Sequence, residues 1–495
     1  MVKTGGRAIA VPDVVSNWIA GAEHAAAAEE WFDKLDPATG TPLCRVARSR
    51  EADVQSAVAA ARSAYPVWRS LTPVARGDHV RAIALGIRDR TEEFARIVHR
   101  ETGKSLKDAR GEVGAAVEMG LFVAGEGRRW YGRTTTSAVP NKTAIVVRQP
   151  LGVAGLIISA NTPIANVAWK VFPALLCGDP VVLKAAEDTP ATAWAVAALA
   201  HELGLPAGVF NVVNGYGEEA GAPLVAHPDV AVVSFTGSCE VGRLIGRVAG
   251  ARLAKVCLEL GGKNPLIVCD DADLSRAVEA AVLSAFSNAG QRCAAGSRLI
   301  VFDAVYDGFQ RQLLERVARL RVGTDDAADF GPVINAGQLD QMLAALAQAE
   351  RDGARLLAGG RRLTGPGYDG GYFLAPTVVE GAAAGDPISR TELFGPITML
   401  YRVRGFEEAV ALANTSPFGL TAAIWTRSIH RAMEFIGRIE SGVAVVNGAT
   451  YGSEPHMPFG GLKDSGNGLR EAGTEALDVY SDWKTVYVNH DPASA

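Results

Sequence analysis

Two side chains near the middle of the chain could together do chemistry. Glu259 lies in KVCLELGGKNP, Lys255 to Pro265, just before the pair Gly261-Gly262. Cys293 lies in FSNAGQRCAAGSR, Phe286 to Arg298, directly after Gly290-Gln291-Arg292. A cysteine is a nucleophile only as its thiolate, and it needs a partly exposed, electropositive or helix-end setting to reach that state. A nearby carboxylate can act as general base toward water. Glycine-containing turns let the backbone approach a ligand closely. A Cys and a Glu presented from two such loops suit covalent catalysis in two steps, attack on a carbonyl and then hydrolysis of a thioester. The plain alternative is that Cys293 is one of six scattered cysteines, packed as a small hydrophobe. No His forms a recognisable triad with Cys293, which argues against a papain-like hydrolase.

LELGGKNP followed by FSNAGQRC resembles the paired signatures of the NAD(P)-dependent aldehyde dehydrogenase superfamily, and the resemblance runs from about residue 30 to the C-terminus. It implies the hydrolytic, non-phosphorylating type, with Cys293 as nucleophile and Glu259 as base. In SANTPIANVAWK, Ser159 to Lys170, Asn161 matches the family asparagine whose amide holds the developing oxyanion, a donor that does not titrate. Lys170 matches a residue that helps order the site. Two places depart from the family pattern. Ser159-Ala160 and Thr162 stand where Pro-Trp and an aromatic are common, and Asn166 stands where many relatives have an apolar tunnel residue. A wider, more polar tunnel is expected. PFGGLKDSGNG, Pro458 to Gly468, resembles the family's C-terminal signature, and the preceding EPHM, Glu454 to Met457, looks like the aromatic-aldehyde members such as vanillin and salicylaldehyde dehydrogenases.

The elements that must position these residues alternate strand and helix from residue 151. Val153–Ser159, Val181–Ala185, Val209–Asn214 and Val230–Phe235 are near-continuous apolar runs, the mark of parallel strands buried on both faces. A helix at Ala191–Glu202 has Thr189 placed as N-cap and Pro190 at its first position. The pattern predicts an α/β fold with a doubly wound nucleotide-binding sheet. A second series begins near Asn264, with strands at Asn264–Asp270, Arg298–Phe302 and Ala422–Thr426 and a helix at Leu274–Asn288. The expected division is a cofactor domain over 1–131 and 151–261, a catalytic domain over 262–475, and a flap over 132–150 and 476–495. Ahead of these lie a hairpin over 31–48 and Ala-rich helices at Glu51–Tyr65, Arg76–Thr102 and Ser105–Tyr131. Thr134–Pro150 and Tyr480–Asn489 are rich in β-branched residues and read as lone ribbons that need a partner. In the resembled family they form an oligomerisation flap, which implies a homodimer or homotetramer.

The dinucleotide fingerprint GxGxxG is absent. NGYGEEAG, with Gly217, is one residue too long. FTGSCEVG is more informative: Phe235, Thr236, Gly237 and Ser238 end a buried strand and open a helix, an anion site with free N–H groups. In KAAED, Lys184 and Glu187 match the family pair on the adenosine ribose. A carboxylate there accepts from ribose hydroxyls and repels a 2′-phosphate, which favours NAD and leaves NADP possible. In ELFGP, Glu392 and Phe394 match the residues beside the nicotinamide ribose and ring. The resemblance also places Ile158, Leu260 and Gln338 at the cofactor.

Composition agrees with an ordinary globular protein. Hydrophobic residues are 48% and charged residues 21%, and 495 residues are too many for one core. A net charge of −5 argues against nucleic acid or an anionic membrane as partner. The cysteines show no CxxC or His-linked spacing, so neither a metal site nor a disulfide framework is expected. The N-terminus lacks a signal-like apolar region and no run is long enough to span a membrane, so cytoplasm is the expected location. The resemblance therefore implies oxidation of an aldehyde to its acid with NAD(P). Its rivals are a CoA-acylating dehydrogenase, disfavoured by Glu259, and a non-catalytic protein on the same fold, disfavoured by the joint presence of Cys293, Glu259 and Asn161.

Overall fold

The computed structural model describes residues 10–490. The first nine residues of the N-terminal stretch and the last five of the expected flap lie outside that range. Two seven-stranded sheets organise the chain. In the first, five parallel strands run in the order Lys255–Glu259, Val230–Thr236, Val153–Ile157, Val181–Lys184, Phe210–Val213. The chain winds outward from Val153–Ile157 in one direction and then returns to place Val230–Thr236 on its other side. This reversal opens a crevice at the carboxyl ends of those two central strands, where open α/β sheets bind ligands. Asn17–Ile19 and Ala22–His24 extend the far edge antiparallel. These strands have too few residues to show a period in the sequence.

The second sheet runs Arg355–Ala358, Thr377–Glu380, Ile397–Val403, Gly296–Phe302, Asn264–Val268, Thr421–Trp425, Val443–Val446. Only its first strand is antiparallel. A large apolar cluster lies under each sheet. The chain passes between the sheets at Leu260–Lys263, between the Lys255–Glu259 and Asn264–Val268 strands.

The expected hairpin over 31–48 is present as Trp31–Leu35 against Pro42–Ala47. Several expectations need correction. The helix read over Arg76–Thr102 is two, Pro73–Asp89 and Thr91–Thr102. Arg90 leaves helical geometry between them, and its guanidinium reaches Glu202 at 3.1 Å. The helix read to Tyr131 ends at Glu126. Thr189 does not cap the Pro190–Glu202 helix with its side chain. Glu101, from the end of another helix, accepts instead from Ala191 N at 2.6 Å and Thr192 N at 3.0 Å. Its buried carboxylate satisfies two of the N–H groups that every helix start leaves free. Thr134–Pro150 is a hairpin, Arg133–Thr136 and Lys142–Pro150, with Asn141 at φ +57° in its turn. The two ribbons pair with each other within the chain: Lys142–Pro150 lies antiparallel to Ser481–Asn489 over nine residue pairs.

Candidate active site

The Leu274 helix ends at Phe286, not at Asn288, and the chain then reverses its handedness. Asn288, Ala289 and Gly290 have φ of +55°, +54° and +67°. Two non-glycine residues in the left-handed region cost energy, which the surroundings must over-determine. Asn288 Nδ2 donates to Asn161 O and Gln291 O, both at 3.1 Å. Gln291 is itself fixed, since its Oε1 accepts from Ile334 N at 2.9 Å and its Nε2 donates to Pro332 O at 3.3 Å. Gly290 has no room for a side chain, because a Cβ would lie 2.0 Å from Gly395 O. The loop bearing Cys293 is thus clamped against ELFGP.

The LELGGKNP segment holds the other side of that loop. Asn264 Nδ2 donates to Cys293 O at 2.7 Å and to Ala295 O at 2.9 Å. Gly262 packs against Cys293 O so closely that a Cβ would come within 2.3 Å. Glu259 ends its strand beside the C-terminal signature. Ser465 O accepts from Leu260 N at 3.0 Å, Ser465 Oγ donates to Gly261 O at 2.7 Å, and Asn467 Oδ1 accepts from Leu258 N at 3.1 Å. The PFGGLKDSGNG motif is therefore a brace for the Glu259 strand.

Both Glu259 carboxylate oxygens are buried with no hydrogen-bond partner among the described residues. Burial, with the Glu471 carboxylate adding in the same direction, pushes its carboxyl well above the ordinary range, while Lys170 and Arg470 oppose. Cys293 is partly exposed as a residue. Burial pushes its thiol up to about 12, and the Glu392 and Glu259 carboxylates add to this. The Ala294 N–H and Arg292 pull the other way. The Cys293 thiol thus rests in its neutral form near pH 7, and burial disfavours the charged form of both groups.

Asn161 sits at the switch point, just beyond the Val153–Ile157 strand. Its Nδ2 donates to Gln291 O at 2.9 Å, and its Oδ1 accepts from Ser159 Oγ at 2.9 Å and Asn166 Nδ2 at 3.3 Å. The amide carries two N–H groups, and one has no partner among the described residues. Asn166 also donates to Ser159 O at 3.0 Å. It buttresses Asn161 through its Nδ2. Lys170 is fully buried, ion-paired to Glu471 and donating to Ser234 Oγ at 2.8 Å. It reaches Glu259 only through its charge. Ser234, Asn264, Gln291 and Glu471 escaped the sequence reading. Ser234 had one signal, a polar residue inside an apolar strand.

Of the residues expected at a dinucleotide, Gln338, Glu392 and Phe394 belong to other elements, and the rest lie at or just beyond the carboxyl ends of the first sheet's strands. Lys184 Nζ donates to Glu187 Oε2 at 2.7 Å at the carboxyl end of its strand. Burial raises the Glu187 carboxyl, but the Lys184 charge and hydrogen bond outweigh it and hold the group below the ordinary range, as an anion. Ser238 caps the Cys239–Ala251 helix, accepting from Val241 N at 3.3 Å. Gly237 closes that turn against the Phe235 ring, where a Cβ would lie 2.4 Å away. Thr236 ends the strand, and Ile158 and Leu260 are buried beside it. Gly217 faces open space at the start of a short turn. Gln338 lies in the first turn of the Ala336–Arg351 helix, and the cap of that helix, Asn335, donates to Asp188 Oδ2 at 2.9 Å, beside Glu187. Glu392 Oε1 accepts from Gly262 N at 2.8 Å, and burial pushes its carboxyl up to about 7. Phe394 takes φ +55° in the same loop. The Glu187 anion, the capped start of the Cys239–Ala251 helix and the close-packed glycine turns have the chemistry a dinucleotide site needs.

The aldehyde dehydrogenase family model matches residues 24–486. The chain belongs to the aldehyde dehydrogenase family. The enzyme is 40% identical, over 90% of its length and 91% of the relative's, to the α-ketoglutaric semialdehyde dehydrogenase of Bacillus subtilis (strain 168). Its fold matches betaine aldehyde dehydrogenase from Staphylococcus aureus in complex with NAD+, with a TM-score of 0.94 and 32% identity. That match covers 97% of this chain and 95% of the other. A point mutant of the same protein, crystallised with NAD+ and a BME-modified cysteine, matches equally, at 0.94 and 32% over 97% and 96%. The dehydrogenase oxidises an aldehyde to the carboxylic acid with NAD as cofactor. Among the described residues, no helix is long and apolar enough to cross a membrane.

Proposed function

We propose that this dehydrogenase acts on an aldehyde that also carries a carboxylate, an oxo acid, with Cys293, Asn161 and Glu259 as its chemical residues. The observation that carries the substrate class is Arg292. It directly precedes the nucleophile, lies 4.6 Å over the Tyr451 ring, and donates through Nε to Ser287 Oγ at 3.3 Å. It has no ion pair among the described residues. A guanidinium one residue from the nucleophile, with no ion pair on its fork among the described residues, matches a substrate carboxylate. The name of the Bacillus subtilis relative supports the same class.

The steps follow from the geometry. Cys293 gives up its proton to solvent water, and its thiolate attacks the aldehyde carbon. The free Asn161 N–H and the Cys293 backbone N–H hold the resulting oxyanion. NAD, which Lys184, Glu187 and Glu392 would hold, would supply the acceptor for the hydride on that carbon, and the carbon would then remain on Cys293 as a thioester. Glu259 then removes a proton from water, the water adds to the thioester, and the carbon–sulfur bond breaks to release the carboxylate. Lys170 orders this corner by holding Glu471 and Ser234, and Lys184, Glu187 and Glu392 orient the two riboses.

The test is a panel of an ω-oxo acid, butanal and benzaldehyde with the wild type and Arg292→Gln. The oxo acid should be preferred. The variant should lose roughly 10- to 100-fold in kcat/KM for it alone, the worth of a charge-assisted hydrogen bond. Preference for benzaldehyde would favour the aromatic class suggested by Glu454–Met457, to which the edge-on Trp169–Phe459 pair, 5.5 Å apart, would contribute.

Assembly and location extend the same reading. The flap exposes Trp483 and Tyr487 on one face of Ser481–Asn489, the face a second copy would cover in a homodimer or homotetramer. All six cysteines are free thiols, which suits the cytoplasm. Light scattering would read the oligomer directly.

A further inference from the structure

Lys104 and Glu112 form a buried ion pair beside the Asn161 loop and take no part in the steps above. Lys104 Nζ lies 2.6 Å from Glu112 Oε2, and the two side chains are only 6% and 5% exposed. Lys104 follows Gly103, which closes the Thr91–Thr102 helix at φ +73°. Glu112 lies in the Leu106–Glu126 helix, which packs against the Pro163–Cys177 helix. A buried pair is weak support for stability in general, because the cost of desolvating two charges offsets their attraction. What each charge does with its remaining bonds is more informative.

Both members spend those bonds on one short stretch, Asn161–Ala165. Lys104 Nζ donates to Asn161 O at 2.8 Å. Glu112 Oε1 accepts from Ile164 N at 3.0 Å and from Ala165 N at 3.5 Å. The Pro163–Cys177 helix starts without a side-chain cap from Thr162, and Pro163 has no N–H to satisfy. Ile164 N is therefore the first free donor of that helix, and a carboxylate is a favoured partner at a helix start. Asn161 O also accepts from Asn288 Nδ2 at 3.1 Å. Its two lone pairs thus join the ion pair to the left-handed turn that leads to Cys293.

We infer that the Lys104–Glu112 pair is a clamp that positions the Asn161 amide for the oxyanion. The ammonium holds the Asn161 carbonyl, the carboxylate holds the start of the helix that follows, and together they fix the main chain from which the amide projects. Such a donor stabilises developing charge only when it is held in place before the reaction. Lys104 and Glu112 are positioning residues, since they act through Asn161. The inference rests on the reading that Asn161 holds the oxyanion.

The experiment uses the full-length enzyme with saturating NAD+ and the aldehyde of the panel above that reacts fastest. Rapid mixing reads the NADH formed in the first turnover. Removing one charge alone would strand the other in the interior, so the main variant is Lys104→Met with Glu112→Gln, an exchange for neutral side chains of similar volume that buried pairs often tolerate. Its first-turnover rate should fall roughly 10- to 100-fold, the cost of a small misplacement of a reacting group. Its Kd for NAD+ should stay within about twofold of the wild type. Asn161→Ala should lose roughly 10²–10³-fold, the worth of one oxyanion donor. With Asn161→Ala already in place, the paired replacement should cost less than about threefold more, because no amide is left to position. General structural support would slow both backgrounds by the same factor, and that result would overturn the clamp. Asn161→Ala at full rate would mean that the oxyanion reading fails and takes the clamp with it. If Asn161→Ala is slow and the paired variant is not, the oxyanion reading stands and the ion pair has no positioning role. Should the paired variant fail to fold, Glu112→Gln alone carries the test, since one neutral oxygen must then serve both Lys104 and Ile164 N. It should slow the first turnover about tenfold in the wild type and less than about twofold in Asn161→Ala. A full rate, or an equal fall in both, would overturn the clamp.

Discussion

The side-chain amide of Asn264 donates to the main-chain carbonyl of Cys293 at 2.7 Å. Through this bond the segment that carries the base grips the loop that carries the nucleophile, and the two signatures become one unit. Asn264 also accepts from Thr421 N at 3.0 Å, so it ties the nucleophile loop to a neighbouring strand of the second sheet. Asn264→Leu should lower kcat by roughly 100-fold, because a small displacement of a reacting atom is that costly. The unpaired Cys293 and Ala295 carbonyls should also lower stability by about 1–3 kcal/mol each. Steady-state kinetics and a thermal melt check this. An unchanged kcat would mean that Gly262 and the left-handed turn suffice to place the thiol.

The Cys293 thiol, pushed up to about 12 by burial and two carboxylates, predicts slow alkylation in the enzyme without cofactor. The thiolate is the reacting form, so the iodoacetamide rate should lie below that of free cysteine at pH 8 and should still be climbing at pH 10. Cys293→Ala should remove the reaction and abolish aldehyde oxidation while NAD+ binding survives. Dehydrogenase turnover in that variant would take Cys293 out of the mechanism.

Glu187 is held as an anion by Lys184 at 2.7 Å, and the pair is close to neutral overall. Glu187→Ser should remove repulsion of a 2′-phosphate and leave Lys184 free to attract it. The ratio of kcat/KM for NADP to that for NAD should rise at least tenfold, the value of a modest charge contact. A wild type that already prefers NADP would contradict the electrostatic role given to Glu187.

What the sequence revealed depended on how local each signal was. Apolar runs such as Val153–Ile157 and Val230–Thr236 announced buried parallel strands, and Pro190 announced a helix start, because these depend on neighbouring residues alone. The cap of that helix did not follow, because Glu101 reaches it from a distant helix and leaves Thr189 without its expected role. Cys293, Glu259 and Asn161 were legible as motifs, but Asn264, Gln291 and Ser465 act by gripping main-chain atoms remote in sequence, which no spacing records. Asn166 was read as a polar tunnel wall, and its Nδ2 also donates to Ser159 and Asn161, a link no spacing records. The two β ribbons were seen without a partner, and they turned out to partner each other.

Glu259→Gln separates the two chemical halves. The carboxylate is buried and unpartnered, with its pKa raised by burial and by Glu471, so it is poised to take a proton from water and has little other work. Hydride transfer needs Cys293, Asn161 and the nicotinamide, but no base for water. Glutamine keeps the shape and loses the basicity. The thioester should form and stall, giving about one enzyme equivalent of NADH as a burst and then a steady rate lower by roughly 10²–10⁴-fold, the usual worth of a general base. In the wild type the deacylation rate should climb as pH rises through the raised Glu259 pKa, because only the ionised carboxylate accepts the proton, and the variant should lose that rise. Rapid mixing reads the burst, and intact mass reads the acyl adduct on Cys293. No burst would mean that Glu259 acts earlier, in deprotonating the thiol. A full steady rate would mean that another group activates water, with Glu471 behind Lys170 the nearest carboxylate to examine next.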